Sequence, residues 1–144
     1  MKRTKLILGY LALLLMTSCE DRSQEKISNE ERVSVLGEKI GIQFPQNATL
    51  LNEIADSNRL ETHTHYAWGL KSTKAFEIPE RDEDFSDFPV ETAVPFVEMI
   101  SGGIRIDKPT TAVSGHWLND GYEYRFVLVR AVDAEYLAIE QYRQ

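Results

Sequence analysis

The sequence predicts an α+β fold, in which a mostly antiparallel sheet with a C-terminal three-stranded meander carries one or two helices on one face. The meander is indicated by alternating apolar residues on both sides of Asn119-Asp120-Gly121, a typical hairpin turn. A helix is indicated by apolar residues at helical spacing in residues 33–40. Residues 28–144 are long enough for one hydrophobic core, so we expect a single globular domain.

The first 18 residues have the layout of a secretory signal peptide. Lys2, Arg3 and Lys5 form a basic start, and an apolar run over residues 6–16 follows them. At about 1.5 Å per residue, a helix of this run covers roughly 16 Å of a hydrocarbon core about 30 Å thick. We therefore expect an exported protein without a permanent transmembrane helix.

The end of this leader reads Leu15-Met16-Thr17-Ser18-Cys19, and Cys19 is the only cysteine of the chain. This segment resembles the lipobox of bacterial lipoproteins, although Met16 stands where leucine is commoner. The resemblance implies that the Cys19 sulfur receives a diacylglyceryl group, that the chain is cut before Cys19, and that the new amino terminus is acylated, for example with palmitate. Two or more acyl chains anchor a protein stably to a membrane. The leader thus predicts attachment to a membrane of the bacterial cell envelope without choosing the inner or the outer one.

The charge of the predicted mature protein argues against some partners. The full chain has 16 basic and 23 acidic residues, and the three basic residues of the leader leave 13 against 23, a net charge of −10. A net-acidic domain is poorly suited to nucleic acid and to binding anionic lipid headgroups by charge, so no nucleic-acid partner is expected. With no second cysteine, the domain has no intramolecular disulfide and must be held by packing.

The first element after the leader is a helix. Residues 19–27 are predicted to be the lipidated cysteine and a polar tether. Ser28 and Glu31 have the spacing of a capping box, which predicts a helix that begins at Ser28. Gly41 follows the last apolar residue of the pattern and predicts its end.

Two strands are predicted after this helix, over residues 48–54 and 62–72. In the second strand Tyr66, Trp68 and Leu70 alternate onto one face, which predicts a core face.

Residues 77–91 form an acidic segment with seven acidic residues against Arg81 alone, which predicts a solvated loop. Phe85 and Phe88 are expected to hold this loop against the domain. A short helix is predicted after it, with Pro95 in the first turn.

The last third of the chain predicts three strands, over residues 111–118, 122–131 and 135–142. The turn at Asp120 and Gly121 places Trp117 opposite Tyr124 and builds a core face. The other face of the meander is also apolar, which indicates either a covering helix, the favoured interpretation, or a partner surface. Its apolar residues are Val127, Val129, Tyr136 and Ala138.

The sequence offers one candidate metal site. His63 and His65 lie two residues apart in a predicted strand, and with His116 they have the composition of a three-histidine zinc site. The alternative, which we favour, is that these histidines are solvated, because they alternate with the apolar face and His116 pairs with Arg125. We therefore predict no metal site, no cofactor and no catalytic residue.

Two functions remain at this stage. The first is a non-enzymatic binding, inhibitory or assembly module of the envelope, anchored through Cys19 and acting on an envelope protein. The second is a metal-dependent or hydrolytic envelope enzyme that uses His63, His65 and His116. The predicted site residue is Cys19, as the point of lipid attachment.

Overall fold

The structure, a computed structural model, describes residues 26–57, 64–78 and 85–143. The predicted signal peptide and Cys19 lie outside the described residues. The described elements are α1 (Asn29–Ile40), β1 (Thr49–Ser57), β2 (Thr64–Ser72), β3 (Ser86–Asp87), α2 (Val90–Ile100), β4 (Pro109–Asn119), β5 (Tyr122–Ala131) and β6 (Glu135–Arg143).

The strands form one six-stranded antiparallel sheet in the order β1-β2-β6-β5-β4-β3, so the α+β class and the C-terminal meander are confirmed. The hairpin between β4 and β5 turns at Asp120 and Gly121, whose φ angles are 50° and 78°. Both central residues of a type I′ turn need positive φ, which aspartate tolerates and glycine favours. The turn sets the predicted register, with Trp117 opposite Tyr124.

Helix α1 covers the first face of the sheet. Ser28 caps its start by accepting a hydrogen bond from the Glu31 backbone N–H, and Gly41 ends it with a φ of 78°, both as predicted. The buried residues of α1 pack on the largest apolar cluster of the sheet, which includes Trp68, Trp117 and Phe126. A buried hydrogen bond of 2.8 Å from the Trp117 indole Nε1 to the Ile40 backbone oxygen fixes the C-terminal end of the helix. That bond satisfies one of the carbonyl groups that every helix leaves unpaired at this end.

Helix α2 covers the second face of the sheet, so the two helices lie on opposite faces and not together on one face, as the sequence predicted. Ala93, Val97 and Ile100, spaced by four and three residues, form its buried stripe. They pack with Val129, Tyr136 and Ala138 in a second apolar cluster. The favoured interpretation of the apolar second face, a covering helix, is therefore confirmed.

The predicted start of α2 was wrong. The helix begins at Val90 after Pro89, and Pro95 lies inside it rather than in its first turn. The acidic residues near its start suggested a loop, but acidic side chains are favourable close to the positive end of a helix dipole. Phe85 and Phe88 do contact the domain, since the Phe85 ring lies 5.2 Å from the Phe126 ring and Phe88 packs against the second cluster.

Replacing Trp117 with phenylalanine tests the link between α1 and the sheet. We expect W117F to lower the free energy of unfolding by about 1–2 kcal/mol, because the Ile40 carbonyl stays buried without its donor. Urea denaturation measures the change. The matched control is Leu118→Ala at the next, exposed position, for which a change below about 0.5 kcal/mol is expected. Equal stability of W117F and the wild type would contradict the role of this hydrogen bond.

Candidate functional site

On the second face of the sheet, the side chains change from apolar to charged toward the β4–β5 turn. Going along β5 from its end toward its start, the buried Val129 and the half-buried Val127 give way on this face to Arg125 and Glu123. The neighbouring strands also carry polar side chains at this position. The register places Arg125 between His116 of β4 and Glu140 of β6. We call this group of side chains the hairpin-end cluster: His116, Glu123, Arg125, Glu140 and Tyr142.

Arg125 is the centre of the hairpin-end cluster. Its Nε donates a 2.8 Å hydrogen bond to Glu123 Oε1, and its guanidinium carbon lies 4.7 Å from the centroid of the Tyr142 ring. The Tyr142 hydroxyl donates a 3.0 Å hydrogen bond to Glu140 Oε2. The Arg125 side chain is nevertheless 57% exposed. The cluster is thus held in place by its own contacts while it faces solvent.

Three residues of this cluster have pKa values that are shifted further from pH 7. The hydrogen bond from Arg125 holds the pKa of Glu123 below its ordinary value, against a smaller opposing effect of burial. The same hydrogen bond raises the pKa of Arg125. Burial, followed by the hydrogen bond to Glu140, raises the pKa of Tyr142. At neutral pH Glu123 and Arg125 are therefore charged and Tyr142 is protonated.

These protonation states favour recognition over proton transfer. General acid–base catalysis works best when the catalytic pKa lies near the working pH. Glu123, Arg125 and Tyr142 have shifts in the opposite sense, and their geometry fixes one pattern of charge. Arginine and tyrosine are also enriched at protein–protein interfaces, where their large flat groups bury area and form hydrogen bonds.

The structure does not bring the candidate histidines together. His63 lies outside the described residues, His65 lies in β2, and His116 lies in β4. Because β6 and β5 run between β2 and β4, the backbone positions of His65 and His116 lie three strand spacings apart, roughly 14 Å. A zinc ion bonds its nitrogen ligands at about 2.0–2.1 Å, which requires side chains that converge on one point. Within the described part of the chain, no group of three His, Cys, Asp or Glu side chains is arranged to hold a metal ion.

Cys19, the predicted lipid-attachment residue, lies outside the described residues, so the structure gives its attachment no geometry. The described chain starts at residue 26, just before the cap of α1 at Ser28. Neither described helix is long and apolar enough to cross a membrane.

Most of the hairpin-end cluster was not predicted from the sequence. Arg125 was predicted only as the partner of His116 in the register, and the structure confirms this pairing. A signal was present in Glu123 and Arg125, two opposite charges two residues apart on a strand face that is otherwise apolar. Glu140 and Tyr142 show the same change on β6, after Tyr136 and Ala138.

Replacing Arg125 with methionine tests the electrostatic coupling in this cluster. We expect R125M to raise the pKa of Glu123 toward its ordinary value of 4.5, because the hydrogen bond and the positive charge are both lost. A titration of the side-chain carboxyl groups by carbon-13 NMR measures the pKa. Arg130→Met is the matched control, since Arg130 lies on the same strand and pairs with Glu135 at 2.9 Å instead.

The lowered pKa of Glu123 determines how the stability of the domain depends on pH. The contribution of Glu123 to stability is complete above its unfolded pKa and is lost as the pH falls through the lower folded pKa. In R125M this acid-dependent loss becomes smaller. An unchanged Glu123 pKa in R125M would show that Arg125 is not the cause of the shift.

No protein-family model matches this chain, and no curated protein or solved structure matches it either. The α+β architecture does not supply a function, because one fold carries many activities. The chemistry of the exposed side chains is therefore what supports a proposal.

Proposed function

We propose that the protein is a lipid-anchored module of the bacterial cell envelope that binds another envelope protein and is not an enzyme. The observation that carries the proposal is the hairpin-end cluster, in which the exposed Arg125 is fixed by the half-buried Tyr142 and two half-buried carboxylates. Cys19 is the proposed attachment point for lipid.

The fixed geometry of the cluster supports binding. A side chain that is already ordered loses less conformational entropy when a partner covers it, which leaves more of the contact energy for affinity. Arg125 is ordered by Glu123 on one side and by the Tyr142 ring on the other. Leu118, which is paired with Glu123 in the register and is 51% exposed, adds an apolar contact beside the charges.

The charge of the domain indicates the chemistry of the partner. Glu123 and Glu140 contribute two carboxylates around the single Arg125, and the predicted mature chain carries a net charge of −10. Complementary charges steer association and suppress unsuitable partners. The proposed partner therefore presents a basic surface with an apolar centre.

The enzymatic alternative has less support. A metal-dependent or hydrolytic enzyme based on His63, His65 and His116 needs these side chains to converge. Two strands lie between His65 and His116 in the sheet. The sheet would have to be rebuilt for these two residues to bind one ion.

Replacing Cys19 with alanine tests the anchor. We expect the wild-type protein in the membrane fraction and the C19A protein in the soluble fraction, because the acyl chains provide the proposed attachment. Fractionation of cells with immunodetection measures the distribution, and circular dichroism of the purified variant checks its fold. We expect the same melting temperature for both proteins, since the described core is built from residues after 26. Retention of C19A in the membrane would overturn the anchor.

A photo-crosslinking amino acid at position 118 tests the binding surface. We expect irradiation of intact cells to give one discrete crosslinked product, because Leu118 lies next to the proposed contact surface. Position 132 is the matched control, since Val132 is 72% exposed and lies beyond the opposite end of β5. Mass spectrometry identifies the product.

The crosslink must also depend on Arg125. In the position-118 protein, Arg125→Ala should reduce the product at least tenfold, whereas Arg130→Ala on the same strand should leave it unchanged. Equal crosslinking from positions 118 and 132, or no effect of Arg125→Ala, would contradict the proposal that the hairpin-end cluster binds the partner.

A further inference from the structure

The two exposed flanks of α1 differ in chemistry. Its buried stripe consists of Val33, Leu36, Gly37 and Ile40. One flank carries Arg32, Val35 and Lys39, which are spaced by three and four residues and line a common shallow groove of about 230 Å³. The opposite flank carries Glu30, Ser34 and Glu38 and lines a larger groove against residues 41–48.

The first flank presents apolar side chains to solvent. Ile27 is 58% exposed and Val35 is 60% exposed, and Leu50 of β1 is half-buried beside them. All three line the same groove. Together with Arg32 and Lys39 we call them the tether-side patch. Clustered exposed apolar residues with a polar border are typical of an interaction surface.

The charges at the tether-side patch differ from those of the whole domain. Arg32 and Lys39 border the patch, and the exposed Lys26 directly precedes it, whereas Glu53 is the one acidic residue that lines this groove. The Arg32–Glu53 pair is loose, at 3.9 Å with both side chains well exposed. The Lys39 ammonium lies 4.6 Å from the centroid of the Tyr66 ring and 5.0 Å from that of Trp68. Glu31 and Glu38 lie one helical turn from Val35 on its other side, so the basic surface is confined to the Arg32–Lys39 side of the patch.

The position of the patch along the chain limits what it can meet. Ile27 is the last residue before the cap of α1, and only the eight residues 20–27 separate Cys19 from Ser28. A fully extended chain of eight residues spans at most about 29 Å. A lipid at Cys19 therefore keeps Ile27, where the patch begins, within that distance of the membrane.

We propose that the tether-side patch docks on the membrane surface that holds the Cys19 lipid, an inference that rests on the lipid anchor of the proposed function. Ile27 and Val35 enter the boundary between headgroups and acyl chains, and Arg32 and Lys39 contact lipid phosphates. This is how a helix with an apolar and a basic side lies on a bilayer. The local basic charge, the apolar centre and the short tether all favour a lipid surface over a protein partner at this site.

Docking in this way orients the domain. Helix α1 lies on the first face of the sheet, and the hairpin-end cluster lies on the second. Contact of α1 with the membrane therefore leaves the cluster open to the aqueous compartment.

A fluorescent label at position 35 tests the docking. The full lipidated protein is reconstituted in vesicles of phosphatidylethanolamine and phosphatidylglycerol that contain lipids brominated on the acyl chain. Val35→Cys is labelled with an environment-sensitive dye. The matched controls are Ser34→Cys on the opposite flank and Val132→Cys, which replaces another exposed valine beyond the end of β5. All three positions are exposed, so the substitutions should leave the melting temperature unchanged.

We expect at least threefold stronger quenching by brominated chains at position 35 than at positions 34 and 132, together with a blue shift of its emission. Vesicles without phosphatidylglycerol should reduce the effect, since the basic side chains lose their anionic headgroups. Equal quenching at the three positions would overturn the docking. Protection of position 35 in native envelopes but not in vesicles would also overturn it, in favour of a protein partner.

The wild-type protein separates this inference from the anchor on which it rests. A lipidated Cys19 has no free thiol, so the protein without an added cysteine should take up no dye. Uptake of dye at Cys19 and release from the vesicles would refute the lipid anchor. Retention in the vesicles with equal quenching at positions 34, 35 and 132 would refute only the docking.

Discussion

The centre of the sheet is apolar on both faces, and the need to cover both faces governs the rest of the structure. In β6, Leu137, Ala138 and Ile139 are consecutive and fully buried. Because neighbouring residues of a strand point to opposite faces, such a run needs a cover on each side. Helix α1 supplies one cover and α2 the other. The end of α2 lies very close to β2 of the sheet. A Cβ at Gly69 would lie 2.5 Å from the Cα of Ser101, so only glycine fits at position 69.

The unequal lengths of the helix and the strands explain where the hairpin-end cluster lies. Helix α2 has 11 residues, or about 17 Å at 1.5 Å per residue. Strand β5 has 10 residues, or about 33 Å at 3.3 Å per residue. One helix therefore cannot cover the whole length of this face. The residues beyond its reach change from valine to Arg125 and Glu123, so the face stays soluble where it is open.

The two proposed contacts use opposite faces of one rigid layer. The tether-side patch belongs to α1 and the edge strand β1 on the first face, whereas Arg125 and its neighbours occupy the second. A domain held at the membrane by a lipid alone can rotate relative to the bilayer. In the proposed arrangement a second contact through α1 restricts this rotation. The hairpin-end cluster then faces away from the membrane for a larger fraction of the time, which favours binding of a partner from the aqueous compartment.

Short-range signals in the sequence were sufficient to predict several local elements. The cap at Ser28, the end of α1 at Gly41 and the turn at Asp120-Gly121 depend on residues a few positions apart, and the turn alone set the register of β4 and β5. The lipid anchor at Cys19 rests on the leader and stays a prediction. Three features became evident only in the folded structure: the strand order, the positions of the two helices on opposite faces, and the contact of Arg125 with Tyr142. Those features join residues that are distant in the chain, and their energies depend on packing between elements, which the local sequence pattern does not contain.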